Sequence, residues 1–221
     1  MTHATINQTP MNRRRFLRIC ATGVTGLALP AGAAMPGGQA QLYRWHGIAL
    51  GAGAEIDILH ESASEAKRLF TKVEAEIRRL EAIFSLYQPD SELVRLNANG
   101  RLSAPSLEMV DLLGLCDRLH AATEGAFDPT IQPLWTYYAR QASGDIGEDL
   151  AAARSRTGFR HVVYGPGEIR FAQKGMSMSF NGIAQGYITD RVTALLAAKG
   201  CTNMVVDLGE IVTRGGPDEE P

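Results

Sequence analysis

Two glycines four residues apart, Gly182 and Gly186, lie where an apolar stretch of the sequence gives way to an amphipathic helix. The surrounding run, Ser179 to Val192, reads SFNGIAQGYITDRV, and VVDLGE (Val205 to Glu210) follows after one helix. Glycine lets main-chain N–H and C=O groups approach a ligand closely, and a helix N-terminus carries partial positive charge. The pattern predicts a phosphate-binding backbone, although packing between helices also selects glycine at this spacing.

Two further segments carry residue types that suit a flat, charged ligand. Tyr87 precedes the turn residues Pro89 and Asp90, where an aromatic ring can stack on a heteroaromatic ligand or can simply edge the core. The segment GAFDPTIQPLW, from Gly125 to Trp135, contains two prolines, an acid and aromatic residues, which predicts a structured loop rather than a helix. Taken alone, Asp128 in that loop is interpreted as a turn or cap residue.

Together the segments resemble the ApbE-like family of FAD:protein FMN transferases. The family strings are similar to Ala-Met-Gly-Thr, Tyr-x-x-x-Ser-Glu-Leu-x-Arg-Leu-Asn, Gly-Ala-Phe-Asp-x-Thr, Asp-Leu-Gly-Gly-Ile-Ala-Lys-Gly-Tyr and Asn-Leu-Gly-Gly. In the same order this chain has Ala49 to Gly51, Tyr87 with Ser91 to Asn97, Gly125 to Thr130, Asn181 to Tyr187, and Asp207 to Glu210. The resemblance spans nearly all of the chain from residue 40 to residue 221.

The resemblance implies an enzyme that binds FAD and Mg²⁺, transfers FMN to a Thr or Ser hydroxyl of an acceptor protein and releases AMP. A divalent metal would offset phosphate charge at the pyrophosphate. Gly182 would offer its backbone carbonyl to that metal, a ligand that suits a hard cation. The FAD-binding residues implied by position are Leu50, Tyr87, Ala126, Phe127, Asp128, Ser179 and Gln185.

Three of these positions depart from the family pattern. Leu50, Ser179 and Gln185 replace Met, Asp and Lys, so one negative and one positive charge are lost from the expected pocket. Losing the lysine weakens the expected hold on phosphate or adenine. Glu210 replaces the second glycine of the late string, where its side chain could crowd a close backbone approach. With these changes the chain resembles the accessory proteins of nitrous oxide reductase maturation, which implies a membrane-bound electron-transfer protein as the flavin acceptor.

The last residues of the sequence lack one family motif. The family's His-x-x-Asp-Pro-x-Thr-Gly string, whose segment completes the metal site, does not occur in these 221 residues. We therefore expect the chain to represent the N-terminal part of a longer domain, with catalytic residues beyond Pro221. The resemblance leaves two functions open: FMN transfer, or flavin binding as an accessory protein without transfer.

The elements that must position these segments begin with two strands. Leu42 to Leu50 and Glu55 to His60 flank Gly51 and Gly53, which predicts a β-hairpin. Ser62 has capping-box spacing to Glu65 and starts a helix. The apolar stripe predicted for this helix recurs at three and four residues and consists of Ala66, Phe70, Val73, Ile77, Leu80 and Phe84.

Later patterns predict two more helices and three strands. Pro105 introduces a helix to about His120, with Leu112, Leu115 and Leu119 facing the core and Gly125 after its end. A helix from Gln185 to Lys199, which stops at Gly200, turns Ile188, Val192, Leu195 and Leu196 inward. The predicted strands are Arg160 to Tyr164, Glu168 to Phe171 and Asn203 to Leu208. The fold class predicted is α+β, with mixed or antiparallel sheets and packed helices; the resemblance implies an ApbE-like, T-fold-related domain that is incomplete at its C-terminus.

The N-terminal 34 residues resemble an export signal. Asn12 to Arg18 reads NRRRFLR and precedes an uncharged stretch with small residues at Ala31 to Ala33, which is typical of a cleavable twin-arginine signal. A basic run before a buried helix is the alternative. We expect a periplasmic protein, either free or tethered to the membrane by an uncleaved signal.

Charge and cysteine content argue against a nucleic-acid-binding protein and against a disulfide-linked one. The whole chain has a formal charge of −2, and its first 33 residues hold four arginines and no acid, so the remainder carries −6. No basic stripe indicates nucleic-acid binding. Cys116 lies among leucines, which predicts a buried small hydrophobe, and a disulfide with Cys201 is not expected.

Overall fold

The computed structural model describes residues 40–144, 147 and 149–215. The predicted export signal, residues 1–34, lies outside the described residues, as do residues 216–221 of the predicted domain. No helix in the described part of the chain combines the length and apolar character needed to cross a membrane.

Seven strands and six α-helices make up the described fold. The strands are β1 (Gln41–Ala49), β2 (Ala52–His60), β3 (Arg101–Ser103), β4 (Val162–Tyr164), β5 (Glu168–Phe171), β6 (Met204–Asp207) and β7 (Ile211–Arg214). The helices are α1 (Ala63–Phe84), α2 (Glu92–Asn99), α3 (Leu107–Ala122), α4 (Gln132–Ala142), α5 (Leu150–Ser155) and α6 (Ala184–Ala197). Single 3₁₀ turns span Pro129–Ile131 and Phe159–His161.

The strands form two antiparallel sheets. A four-stranded sheet has the order β1-β2-β6-β7, and a three-stranded sheet has the order β3-β5-β4. In the first sheet Ala49 pairs with Ala52, Ile56 with Val206, and Asp207 with Ile211. Helices α1 and α6 pack against each other and against the larger sheet. The predicted α+β class with packed helices is confirmed, and every strand pair in the described part is antiparallel.

The β1–β2 hairpin turns through two residues, Leu50 and Gly51. Both have positive φ, +49° and +81°, as a two-residue turn of type I′ requires. The hairpin prediction is confirmed, but Gly53 belongs to strand β2 rather than to the turn. Glycine suits the second position of this turn, whereas Leu50 adopts a left-handed conformation that costs a side-chain-bearing residue about 1 kcal/mol or more.

Helix α1 buries the predicted stripe. Ser62 caps its N-terminus, where the Ser62 hydroxyl accepts from the Glu65 N–H. The Glu65 side chain pairs with Arg68 instead of returning to the cap, so only half of the predicted capping box forms. The buried residues are Ala66, Leu69, Val73, Ile77, Leu80, Ile83 and Phe84, with Phe70 half-buried. Leu69 and Ile83 widen the stripe, as expected for a helix that packs on a sheet and on other helices.

Three element predictions need correction. Helix α4 starts at Gln132, because Pro133 occupies the first turn, where its missing N–H leaves no hydrogen bond unmade. The predicted loop therefore ends at Ile131. Helix α3 buries Met109, Leu112, Leu113 and Cys116 rather than Leu115 and Leu119, which are half-buried. The predicted strand from Arg160 begins only at Val162, after a 3₁₀ turn.

Candidate functional site

The segment before α6 turns sharply between Ser179 and Ala184. The carbonyl of buried Phe180 accepts hydrogen bonds from the N–H groups of Ile183 and Ala184, at 2.9 and 2.7 Å. The Ser179 hydroxyl accepts from the Asn181 N–H at 3.3 Å. These bonds bend the chain outward at Asn181 and Gly182, both of which are exposed, and then start the helix.

The two glycines of this segment face open space. A methyl group added to Gly182 or to Gly186 would meet no atom of the described chain within 4 Å. Neither glycine adopts positive φ, so the local backbone does not itself require glycine. The open space agrees with the predicted close approach of a ligand to the main chain, and the roles of both residues stay predictions.

A cavity of about 390 Å³ adjoins this turn. It lies between the first turns of α6, Leu115 of α3 and the β6–β7 turn; its lining residues are Leu115, Gly182, Ile183, Gly186, Tyr187, Thr189, Asp190, Glu210, Ile211 and Val212. Of the predicted site residues, only Gly182 lines it. The carboxylates of Asp190 and Glu210 make part of its wall acidic, which disfavours an unneutralised phosphate there.

An aromatic cluster joins α6 to the end of α1. The Tyr187 ring meets the Phe84 ring edge-on with centroids 5.4 Å apart, and Phe180 meets Phe84 in the same manner at 6.0 Å. Burial raises the pKa of the Tyr187 phenol. The Tyr187 hydroxyl oxygen is buried and has no hydrogen-bond partner within the described residues. The cluster fixes the glycine segment relative to the C-terminal end of α1.

The loop after α1 presents Tyr87 to solvent. Ser85 organises this loop, since its hydroxyl accepts from the Tyr87 N–H at 3.1 Å and its carbonyl accepts from the Ser91 hydroxyl at 2.6 Å. The Tyr87 side chain is 74% exposed. Tyr87 is therefore not a core-edge residue in the described fold, and its ring is free to contact a ligand.

Sequence reasoning missed Glu81, which links Leu50 to the Tyr87 loop. Glu81 Oε1 accepts from the Leu50 N–H at 2.7 Å, and Glu81 Oε2 accepts from Gln88 Nε2 at 3.4 Å. The available sequence signal was weak, because Glu81 reads as one more charged residue on a solvated face of α1. Its outward position at the last turn of the helix, close to the hairpin, could be inferred only from the fold.

Both carboxylate oxygens of Asp128 accept hydrogen bonds from groups within the protein. Its Oδ1 accepts from the Thr130 N–H and hydroxyl at 2.8 and 2.6 Å, and its Oδ2 accepts from the Phe159 N–H at 3.0 Å. Thr130 is fully buried and also accepts from the Gly158 N–H at 2.7 Å. The interpretation of Asp128 as a cap residue is confirmed, and its implied place in an FAD pocket stays a prediction.

The rest of the Asp128 loop reaches the glycine segment. The carbonyl of Pro129 accepts from the Ser179 N–H at 2.8 Å. Ala126 is exposed and Phe127 is half-buried, with its carbonyl 2.7 Å from His120 Nδ1. The structure thus brings the Asp128 loop beside Ser179 and, through the aromatic cluster, connects Ser179 to the end of α1.

Gln185 contacts the β6–β7 turn. A methyl group built on Gly209 would lie 2.7 Å from the side-chain amide carbon of Gln185, and Gly209 has φ of +101°. The Gly209 N–H donates to Asp207 Oδ1 at 3.1 Å, which closes the turn. Gln185 therefore packs over Gly209, and the neighbouring Glu210 is exposed and lines the cavity beside the first turn of α6.

The described residues do not form a complete metal site. No group of three or more His, Cys, Asp or Glu side chains converges within the described ranges. Gly182 contributes at most one carbonyl oxygen, whereas Mg²⁺ requires near-octahedral oxygen coordination. The described residues by themselves do not fit a bound magnesium ion.

The two cysteines within residues 40–215, Cys116 and Cys201, are free and buried, so the disulfide between them that was not expected does not form. Burial raises the pKa of the Cys116 thiol to about 12. Desolvation raises the pKa of the Cys201 thiol as well. Neither thiol has the lowered pKa of a reactive nucleophile, and Cys116 is the buried small hydrophobe that its leucine-rich surroundings predict.

The chain is an α+β protein whose fold is similar to that of solved flavin transferases. Solved structures support this: the chain matches the flavin transferase ApbE of Vibrio cholerae with a TM-score of 0.70 at 25% identity, over 80% of this chain and 60% of that one. It matches the apo flavinyl transferase ApbE of Pseudomonas stutzeri with a TM-score of 0.70 at 29% identity, over 83% and 59%. The ApbE family model matches residues 50–221, and the chain belongs to the ApbE family.

Curated relatives carry the name FAD:protein FMN transferase. The relative from Klebsiella pneumoniae is 28% identical over 181 residues, which cover 76% of this chain and 52% of the relative. The relative from Treponema pallidum is 30% identical over 160 residues, which cover 66% and 44%. The chain spans about half the length of these relatives.

Proposed function

We propose that the protein takes FAD as a substrate and transfers its FMN part to a Thr or Ser hydroxyl of an acceptor protein. The hydroxyl oxygen forms a bond to the FMN phosphorus, the bond between that phosphorus and the bridging oxygen breaks, and AMP leaves with the electron pair. The hydroxyl proton goes to solvent or to a base. The names of the relatives and the membership of the ApbE family support this reaction.

The observation that carries the proposal is that separate sequence segments are linked in space. The Ser179 N–H binds the Pro129 carbonyl, the Tyr187 ring packs on Phe84, and Leu50 is tied to α1. Four of the five family-like segments are thereby connected around the end of α1, and Gln185 brings in the fifth at Gly209. A site built from five segments of the chain is expected to bind an extended ligand such as FAD.

Different residues of the site would contact different parts of FAD. Leu50 and Tyr87 would flank a planar ring of the ligand, since one is apolar and the other is an exposed aromatic. The N-terminus of α6 carries no acidic residue in its first turn and no side-chain cap, so its N–H groups and partial positive charge would favour the pyrophosphate. Asp190 and Glu210 of the adjoining cavity wall would oppose it unless a cation neutralises the charge. Gly182 and Gly186 leave the main chain open to that approach.

The experiment for this proposal is an intact-mass measurement. The complete gene product is incubated with FAD, Mg²⁺ and an acceptor domain that displays an exposed Thr. We expect the acceptor to gain the mass of one FMN less one water, and the gain to disappear when that Thr is replaced by Val. An acceptor of unchanged mass, with FAD bound to the protein, would overturn the transfer reaction.

Flavin binding without transfer is the second candidate function. Ser179 and Gln185 favour it, because both are uncharged where the family motif has Asp and Lys. This candidate predicts that FAD binds and remains intact, so AMP formed together with a modified acceptor excludes it. The Mg²⁺ requirement implied by the resemblance is tested in the same assay by adding EDTA, which should abolish transfer.

We also propose that the protein acts in the periplasm. The arginine run from Arg13 to Arg15, the uncharged stretch after it and the small residues at Ala31 to Ala33 support export by the twin-arginine pathway. In this setting the acceptor would be a membrane-bound electron-transfer protein, as in nitrous oxide reductase maturation. Replacing Arg13, Arg14 and Arg15 by Lys should retain the protein in the cytoplasm, as measured by cell fractionation.

A further inference from the structure

We infer that Glu81 is a positioning residue that holds Leu50 and the Tyr87 loop at the spacing that a planar ligand ring requires. The inference rests on the proposed function, because Leu50 and Tyr87 are the two residues placed at that ring. Glu81 itself would touch no ligand. It acts through its two carboxylate oxygens, of which Oε1 accepts from the Leu50 N–H and Oε2 accepts from Gln88 Nε2.

The first contact fixes a strained turn. Leu50 has φ of +49°, a conformation that residues with side chains rarely adopt, and its N–H donates to Glu81 Oε1 at 2.7 Å. A charge-assisted hydrogen bond of this length is stronger than a neutral one and offsets the cost of the left-handed backbone. The Leu50 side chain is half-buried and packs partly against the core, so holding the Leu50 backbone also holds this side chain in place.

The second contact reaches the loop on the other side. Glu81 Oε2 accepts from Gln88 Nε2 at 3.4 Å, a weaker bond than the first. Gln88 directly follows Tyr87, and the Gln88 N–H donates to the Ser85 hydroxyl at 3.2 Å. One carboxylate thus connects the hairpin turn to the loop that exposes the Tyr87 ring.

The same helix provides a matched control. Glu74 lies seven residues before Glu81, two turns away and about 10 Å along α1. Its Oε1 accepts from Trp45 Nε1 at 2.8 Å, so it also ties α1 to strand β1 through one carboxylate. Trp45, in the middle of β1, is about 16 Å from Leu50 along the chain, because each residue of a strand advances about 3.3 Å. Glu74 therefore ties α1 to the first hairpin by the same kind of hydrogen bond as Glu81, but at a position away from Leu50 and the Tyr87 loop.

The experiment compares Glu81→Ala, Glu81→Gln and Glu74→Ala in the complete gene product. Flavin fluorescence quenching gives the Kd for FAD, thermal unfolding gives Tm, and hydrogen exchange gives the protection of the Leu50 amide. We expect Glu81→Ala to weaken FAD binding about tenfold, reduce quenching at saturation and speed exchange at Leu50. Glu81→Gln keeps a carbonyl acceptor for the Leu50 N–H, and its NH₂ group can donate to the Gln88 side-chain oxygen after that amide flips, so it is expected to bind within about twofold of wild type.

The outcomes separate this inference from the proposed function. If Glu81→Ala binds FAD as tightly as the wild type, or no more weakly than Glu74→Ala at equal loss of Tm, positioning by Glu81 is wrong while FAD binding stands. Glu81→Gln could also weaken FAD binding as much as Glu81→Ala while the Leu50 amide stays protected from exchange. The negative charge of Glu81, and not its hydrogen bond to Leu50, would then determine FAD binding, and the inference is overturned. A wild-type protein that binds no FAD contradicts the proposed function and, with it, this role.

Discussion

The Tyr187 ring stands edge-on to the Phe84 ring, with an angle of 82° between their planes and 5.4 Å between their centroids. This contact connects the first turn of α6 with the last turn of α1. Because an edge-to-face pair adds about 0.5–1.5 kcal/mol to the burial of the rings, the contact is expected to stabilise the fold as well as the site.

Tyr187→Phe should separate the ring from its hydroxyl. The hydroxyl is buried without a hydrogen-bond partner in the described part of the chain, so its removal should change the free energy of unfolding by less than about 0.5 kcal/mol or raise it. Tyr187→Ala removes the ring and should cost about 2–4 kcal/mol. Urea denaturation measures both, with exposed Tyr138→Ala as the control. Equal losses in the free energy of unfolding for Tyr187→Phe and Tyr187→Ala would contradict a stabilising role of the ring.

Asp128→Ala should destabilise the protein by about 2–4 kcal/mol, because it leaves the N–H groups of Thr130 and Phe159 without their acceptor. Asp149→Ala is the matched control, since Asp149 stands at the N-cap of α5 and makes no side-chain cap bond. Its loss should stay below about 0.5 kcal/mol. If Asp128→Ala instead leaves stability unchanged and abolishes FAD binding, Asp128 is a ligand contact and not a loop brace.

Gly209→Ala should destabilise the β6–β7 turn. Alanine at φ of +101° is strained, and its methyl group would displace the Gln185 amide, so we expect a cost of about 1–3 kcal/mol. The control is Gly53→Ala in strand β2, where a methyl group meets nothing within 4 Å and φ is ordinary. Chemical denaturation of both variants tests this; a Gly209→Ala protein as stable as the Gly53→Ala protein would show that the turn adapts.

Arg79 pairs with Glu76 of its own helix α1 and with Glu108 of α3, so it joins the two helices through Glu108, and this predicts a pH dependence. Arg79 lowers the pKa of Glu76 and of Glu108 below their usual 4.5, chiefly by hydrogen bonds to its guanidinium. A lowered folded-state pKa contributes stability above the unfolded-state pKa, and this contribution is lost as pH falls through the folded-state values. The Arg79 side chain is 44% exposed, so solvent screening limits the contribution of these ion pairs to the free energy of unfolding to about 1 kcal/mol.

Arg79→Met should therefore lose about 1 kcal/mol at pH 7, and its difference from the wild type should vanish in acid as both glutamates become protonated. Urea denaturation from pH 7 down to about pH 2 measures the effect. Arg78→Met is the control, since Arg78 is 66% exposed and lies 3.7 Å from Glu74. A stability difference for Arg79→Met that is independent of pH would indicate lost packing instead.

The sequence patterns predicted the elements that have strong local signals. The stripe from Ala66 to Phe84 and the glycine-bearing hairpin at Gly51 are confirmed. The helix predicted from Gln185 to Lys199 is also present, but it runs from Ala184 to Ala197 and ends two residues before the predicted end. Strand β7 was missed, because Ile211 to Arg214 is short and has one half-buried residue, so period-two alternation is barely visible. Helix α4 was missed because the two prolines were weighed as breakers rather than as first-turn residues.

The candidate site was only partly predictable for a different reason. Motif strings identify residues such as Tyr87 and Gly182, but they do not reveal the partners that arrive from other segments. Glu81 carries no local signal, because its two contacts lie 31 and 7 residues away and depend on how α1 meets the hairpin. Asp128 is the opposite case, because it lies within a family motif and is easily found. Its motif does not reveal that its carboxylate accepts from the Phe159 N–H of a neighbouring loop.

The central claim is that the protein transfers FMN from FAD to a hydroxyl of another protein. The most direct measurement is a time course in which AMP, by chromatography, and FMN-modified acceptor, by intact mass, are quantified in the same samples of the complete gene product. The account predicts that the two products appear together in equal amounts. Bound FAD that yields neither product, or AMP that forms without modified acceptor, would contradict it.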